Sequence, residues 1–323
     1  MSLTFPVTLV IPILNEADSL PELLQAIKTQ SHRPDEIIFV DAGSTDGSSA
    51  LIEDWWCAEG WTPAECRVLF LPGAMPGAGR NAGISAARNN WIAFIDGGIT
   101  PANDWLDQLC RHVLAKKVLS VFGVCHFSAK TPFSKAICAL SYGYGSVHPV
   151  IPASLFSREV FDQIGFFPSH LRAAEDIVWV EAFLRCYGAR EVCYLAQVKY
   201  IHFPQKLTQA MYKWRINEAY RVLAGVRPVQ QIVFFFGLPI LYIAACSYVG
   251  GGIALLAYML LRGVLDPVRR SKDHPWWGDR LRPALIALPL GVMLDIAKWL
   301  GIIEGSAMRL KRCIAMRRKK WRD

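Results

Sequence analysis

The first hundred residues alternate between two hydrophobic rhythms. "VTLVIPI" (residues 7–13), "DEIIFVD" (35–41), "RVLFLP" (67–72) and "WIAFID" (91–96) are short apolar runs bounded by turn residues, as expected of strands buried on both faces. Between them, "SLPELLQAIKTQ" places Leu20, Leu23, Leu24 and Ile27 on one helical face. "STDGSSALIEDWW" opens with Ser44 and Asp46, which can cap exposed helical amides, and "GAGRNAGISAARNN" enters a helix through glycines. Strands separated by helices need crossover connections and parallel pairing, so the predicted fold class is α/β. Ligands of such sheets lie beyond the carboxyl ends of the strands. Asn15, Asp41 and Asp96 stand at or just past strand ends and are expected to share one cleft.

Beyond residue 107 the signals are mixed. "EDIVWVEAFLRCYG" (175–188) predicts a helix closed by Gly188, "CYLAQVKYIHF" (193–203) a strand, and "LTQAMYKWRINEAYRVLAG" (207–225) a basic amphipathic helix. Val229 to Val264 is a run of 36 residues with one charge, Arg262. About 20 residues span a bilayer core, so Gly250–Gly252 could divide this run into two closely packed helices. A second apolar run, Pro283 to Ile303, carries Pro289, Asp295 and Lys298. The basic loop with Arg269, Arg270 and Lys272 and the basic C-terminus both belong on the cytoplasmic side. The second run is therefore expected to return to the side it left, as a re-entrant or interfacial segment, with a third span as the alternative. The domains expected are an α/β domain over 1–227, a membrane-associated helical region over 228–308 and a basic cytoplasmic tail over 309–323.

Composition sharpens this division. Hydrophobic residues make up 53% of the chain and the mean hydropathy is +0.25, an excess concentrated after residue 228. Of the net charge of +8, most sits in the last 20 residues, where eight Lys/Arg face two Asp/Glu. Such a block beside an apolar segment attracts anionic lipid. No aromatic-interleaved basic surface occurs elsewhere, so nucleic acid is not an expected partner. Nine scattered cysteines without a CxxC pair fit a reducing cytosol and core packing. The apolar N-terminus lacks a basic n-region and reads as a first strand, not a signal peptide.

Five segments, "VIPILNEADSL", "IIFVDAGSTDGS", "AGRNAGISAAR", "FIDGG" and "AAEDIVWVEAFLRCYG", follow in an order and spacing that resembles the family 2 glycosyltransferases of GT-A fold, over roughly residues 5 to 225. The apolar C-terminus is similar to that of bacterial members that build cell-surface polysaccharides and glycolipids. The resemblance implies a GT-A nucleotide-binding domain with a mixed, mainly parallel sheet, followed by C-terminal membrane helices. It implies inverting transfer of a sugar from a nucleotide-sugar donor to an acceptor hydroxyl, here a lipid-linked or cell-envelope glycan acceptor. The protein would sit at the cytoplasmic (inner) membrane, in contact with membrane lipids, with its catalytic domain facing the cytoplasm. A polyprenyl-phosphate acceptor, or a silent scaffold that keeps the fold, are the rival readings.

On the same resemblance Asp41 matches the aspartate that hydrogen-bonds the nucleobase, a turn or capping role being the alternative. Pro12, Asn15 and Glu16 match the motif that lines the nucleoside pocket; Glu16 is equally suited to a helix N-terminus. Arg80 and Asn81 match the Gly-Arg-Asn segment below the donor, where Gly77 and Gly79 would let amides approach an anion, or alternatively begin a helix. Asp176 matches the catalytic base, and Glu175 would position the acceptor or Asp176. Asp96 matches the first aspartate of an Asp-x-Asp motif that binds ribose and a divalent cation, Mg²⁺ or Mn²⁺. Gly98 stands where the second aspartate is expected, which places metal binding in question. His202 matches a histidine that ligates metal in some GT-A enzymes, so the implied metal ligands are Asp96 and His202. Lys213-Trp214-Arg215 does not match the Gln-x-x-Arg-Trp motif of processive synthases, which implies transfer of a single sugar.

Overall fold

The computed structural model describes residues 5–226, 250–271 and 281–320, with 229, 232, 236, 237, 239, 240, 242, 243, 246 and 274. Contacts divide the chain into two compact units. One comprises Met1–Phe127, Val147–Leu171 and Glu175–His202, the other Ser128–Ser146, Arg172–Ala174 and Phe203–Asp323. The boundary expected at residue 227 therefore falls inside the second unit.

The first unit contains β1 (Val7–Ile13), α1 (Leu20–Lys28), β2 (Glu36–Asp41), α2 (Ser48–Ala58), β3 (Cys66–Phe70), α3 (Pro76–Ala86) and β4 (Trp91–Phe94). It continues with β5 (Ile99–Pro101), α4 (Trp105–Lys116) and β6 (Ser120–Phe127). After α5 (Pro132–Ser141), which belongs to the other unit, come β7 (Val147–Pro149), β8 (Leu155–Ser157), α6 (Arg158–Ile164), α7 (Glu175–Tyr187) and β9 (Val192–Tyr200). The sheet order is β3-β2-β1-β4-β8-β6-β9-β5, with β7 on β6. β1 to β4 are parallel neighbours, while β8 lies antiparallel between β4 and β6. β6 and β9 run with β1 to β4, so the sheet is mixed but most strands share one direction. All of β2 and nearly all of β1 are buried, which is why both read as unbroken apolar runs.

An aromatic cluster holds the far end of α7. Trp179 and Phe183 pack with Phe94, Phe122, Phe156, Phe161 and Phe167, and the Trp179 indole donates to the Gly165 carbonyl at 2.9 Å. Burying a side chain of this kind stabilises by roughly 1.5–3 kcal/mol. The cluster thus pins α7 so that its N-terminal residues stand at the end of the sheet.

The second unit contains α5, α8 (Leu207–Ala224), α9 (Gly250–Leu260), a π-helical turn (Leu261–Leu265), α10 (Asp266–Arg270) and α11 (Arg282–Lys320). Gly301 and Gly305 let α11 lie directly on α8: a Cβ at Gly301 would come 2.3 Å from the Arg215 carbonyl, and one at Gly305 would come 2.3 Å from that of Ala219. Fully buried Asp295 accepts from Tyr258 (2.7 Å), Arg262 Nη2 (2.9 Å) and Lys298 (2.9 Å), while Arg262 also pairs with Asp266. Arg270 joins through Asp266 at 2.9 Å, so two acids and three bases pair with one another, as charged groups among apolar helices require.

Gly251–Arg270 and Arg282–Met316 are long and apolar enough to cross a membrane. Of the re-entrant or interfacial segment expected of the second apolar run, the re-entrant form is not seen, since the run does not double back. It is part of one helix of 39 residues that contains Pro289 without breaking. That helix is about 58 Å long against a bilayer core of about 30 Å. Strong helix formers past Ile303, among them Glu304, Ala307, Leu310 and Lys311, carry it onward. The hairpin expected within 229–264 lies partly outside the described residues.

Candidate active site

The loops after β1 and β2 are laced together. The Asn15 amide donates to Ser44 Oγ (3.0 Å), the Glu16 amide to Ser48 Oγ (2.9 Å) and the Ala17 amide to Asp46 Oδ2 (2.9 Å). The Thr45 amide returns the contact by donating to Asn15 Oδ1 at 2.9 Å. Asn15 adopts φ 57°, one of three non-glycine residues in the left-handed region among those described. The N-cap position of α2 is Gly47, which offers no side-chain cap, but Asp46 Oδ1 accepts from the amide of Ser48, the first helical residue, at 3.1 Å, as expected of a residue that covers an exposed helical amide. Ser44 Oγ and Asp46 Oδ2 serve the neighbouring loop. Nothing in residue periodicity signals this lacing, because the partners are about 30 residues apart.

Asp41 stands at the end of β2 but is fully buried. Its Oδ1 accepts from the Gly43 (2.9 Å) and Ser44 (2.7 Å) amides, and its Oδ2 from the Ser49 hydroxyl. Burial alone would raise its pKa, but donors from Ser49, Ser44 and Gly43 outweigh burial and hold it below the usual carboxylate value. Pro12 packs beneath α3, with its Cβ 3.4 Å from where a Cβ on Gly79 would lie.

Arg80 is 4% exposed. Its Nη2 donates to Asp96 Oδ1 and its Nη1 to Glu175 Oε1, each at 2.8 Å. Burial disfavours the charged guanidinium, yet the Asp96 and Glu175 charges prevail and raise its pKa. Glu175 itself is shifted upward, chiefly by burial and then by its neighbour Asp176, against the pull of Arg80. Successive helical residues point about 100° apart. Glu175 turns inward to Arg80, while the Oδ1 of half-buried Asp176 accepts from the Ile177 amide at 2.8 Å. Asn81 reads the backbone of the loop before α7: its Nδ2 donates to the Phe167 carbonyl (2.8 Å), and its Oδ1 accepts from the Phe167 amide (3.0 Å).

Around Gly98 the backbone is set by pairing. β5 lies antiparallel to β9 with Ile99 opposite Tyr200, which carries His202 toward the loop that holds Asp96. A Cβ on Gly98 would meet Glu16 Oε2 at 3.6 Å and Tyr200 Cε2 at 3.9 Å, ordinary contact distances. Gly98 is not in the left-handed region, whereas a Cβ on Gly97 would strike Glu16 Cγ at 2.8 Å. Glycine is therefore required sterically at 97 and not at 98. Glu16 is fixed by Ser19, whose hydroxyl lies 2.6 Å from Glu16 Oε2 and 3.0 Å from the Gly97 carbonyl. Burial pushes the Glu16 pKa up; Asp96 adds to the rise, and Ser19 and His202 oppose it.

The carboxylate of Asp96 is a hard donor suited to Mg²⁺ or Mn²⁺, and the His202 imidazole is a borderline donor that Mn²⁺ accepts more readily than Mg²⁺. Among the described residues, however, no three His, Cys, Asp or Glu side chains form a group that could hold an ion by themselves. The donor set fits a cation that arrives with phosphate oxygens, and does not fit a prebuilt all-protein site.

The profile of Glycosyl transferase family 2 matches residues 8–173, half of the chain; it takes in Asp41, Arg80 and Asp96 and ends before Glu175, Asp176 and His202. The chain belongs to this family. The match bears out the α/β GT-A fold and the kind of enzyme expected from the five segments. Glycosyltransferase AglE of Haloferax volcanii is 26% identical over 194 residues, 56% of this chain and 62% of AglE. A pre-mycofactocin glycosyltransferase of Mycobacterium tuberculosis is 34% identical over 109 residues, 33% of this chain and 20% of that protein. The chain thus spans less than two thirds of these curated relatives. The S. aureus TarS 1-349 structure in complex with UDP-GlcNAc superposes at TM-score 0.47 with 15% identity, covering 94% of this chain and 92% of that one.

Proposed function

We propose that this family 2 glycosyltransferase transfers a single sugar, with inversion, from a nucleoside-diphosphate sugar to a lipid-linked or cell-envelope glycan acceptor at the cytoplasmic face of the inner membrane. The observation that carries this reading is the chain Asp96–Arg80–Glu175, with Asp176 beside it on α7, beyond the carboxyl end of β4. It supports reading Asp96 as a donor-side carboxylate and Asp176 as the base. Asp176 takes the proton of the attacking hydroxyl. Glu175 positions the helix that carries it. The laced loops with Pro12, Asn15 and Glu16 form the nucleoside side. Asp96 and His202, completed by phosphate oxygens of the donor, would hold the cation. A divalent cation bound there supplies positive charge to the departing diphosphate. The two apolar helices and the basic C-terminus support membrane lipids as partners and a lipid-linked acceptor.

Asp41 acts here through its loop, not by reaching the base directly. Asp41→Ala removes the acceptor for three donors, each contact to a charged group being worth roughly 1.5–3 kcal/mol. Both nucleotide affinity, by about ten-fold, and the melting temperature are expected to fall. Asp41→Asn, which keeps one oxygen for the two amides, should restore much of each. Loss of affinity with an unchanged melting temperature would instead point to direct base contact.

The decisive test screens nucleotide sugars for thermal stabilisation with and without Mn²⁺. A donor at 100 times its Kd adds about 2.7 kcal/mol. Mn²⁺ alone is expected to stabilise little, and Mn²⁺ with the donor nucleotide much more. Because residue 98 tolerates a Cβ, Gly98→Asp should fold and should bind Mn²⁺ measurably without nucleotide. If no nucleotide sugar stabilises the chain, the transferase reading fails. If chelation leaves transfer untouched, the cation does not take part.

A further inference from the structure

We infer that Arg80 is a positioning residue: a buried strut that ties the donor carboxylate Asp96 to the base-bearing helix through Glu175, and not a ligand of the donor diphosphate. This rests on the reading of Asp176 as the base.

The residue is sealed from solvent at 4% exposure, which leaves no surface for a phosphate. Both terminal nitrogens are committed at 2.8 Å to carboxylates on two different segments. The guanidinium plane is backed by the Phe167 ring, 5.6 Å from its centroid. A planar fork can hold two carboxylates at fixed separation, which a single ammonium cannot. The rest of α3 serves the same end. Asn81 clamps Phe167 through both amide and carbonyl, and Nδ2 also reaches Ser169 Oγ at 3.1 Å. Gly77 lies so close to this loop that a Cβ would sit 2.6 Å from the Pro168 carbonyl. The Gly-Arg-Asn stretch thus registers the loop over 167–169 and the start of α7 against the sheet. A phosphate cradle would show free amides and an accessible cation. Here the cation is enclosed and the glycine is filled by backbone.

The experiment separates donor binding from turnover in Arg80→Lys and Glu175→Gln. A misplacement of about 1 Å can cost on the order of 100-fold in rate. Each variant is therefore expected to lose at least about ten-fold in kcat, while affinity for the nucleoside diphosphate, measured by calorimetry, stays within about three-fold. In the double variant the kcat losses should not add, because the two residues act as one device. A fall in nucleoside-diphosphate affinity that matches the fall in kcat would overturn the proposal, as would unchanged kcat or additive losses. Should Arg80→Lys not fold, Glu175→Gln alone delivers the same split. Failure of the underlying reading has its own signature: Asp176→Asn would then retain full activity.

Discussion

Asp176→Asn is expected to reduce transfer by about 100- to 10,000-fold, the usual contribution of a general base, while leaving nucleotide affinity nearly unchanged. The substitution keeps the size of the side chain and an oxygen for the Ile177 amide, so the start of α7 should stay in place. What it removes is the capacity to accept a proton. The neighbouring acid cannot take over. Glu175 is buried and paired with Arg80, and it points elsewhere on the helix. The measurement is single-turnover transfer at saturating donor, alongside calorimetry with the nucleoside diphosphate. A variant that turns over normally would remove Asp176 from the mechanism.

A chain cut after Val226 is expected to be less stable and less soluble than the full chain, not more. Read from hydropathy alone, residue 227 looks like a clean edge between a globular part and a membrane anchor. In the fold, α8 loses its cover when α11 goes. Ala219 and Val222 are buried, and the Arg215 and Ala219 carbonyls face Gly301 and Gly305 of α11. Arg215 also pairs with Glu304 at 3.3 Å. Exposing this face should cost about 3–6 kcal/mol, the equivalent of two apolar side chains at roughly 1.5–3 kcal/mol each. Gly301→Val with Gly305→Val tests the same contact in the intact chain, since overpacking costs typically about 1–3 kcal/mol. Thermal melting and sedimentation in matched detergent read both. A monomeric truncated chain that melts like the full one would show that α11 is an anchor only.

The local sequence determined a good deal. Alternating apolar runs and amphipathic helices led to the α/β sheet, because burial on both faces writes strands as continuous hydrophobic stretches. Strand ends placed Asn15, Asp41 and Asp96 correctly, since a parallel sheet leaves all its carboxyl ends on one side. The helical offset between Glu175 and Asp176 was also legible, as it follows from helix geometry alone. Tertiary structure decided what each side chain faces. Arg80 reads in sequence as part of the segment below the donor, and it is a buried strut because Asp96 and Glu175, 16 and 95 residues away, converge on it. Ser44 and Asp46 read as caps; Asp46 does hold the first helical amide through one oxygen, but its other oxygen and the Ser44 hydroxyl lace a loop 29 residues upstream. Whether Gly98 must be glycine depends on Glu16 and Tyr200, which approach it only through chain crossings and the β5–β9 pairing. Periodicity reports which face of an element is apolar. It carries no record of which distant element covers that face, because that is settled by the packing of the whole chain.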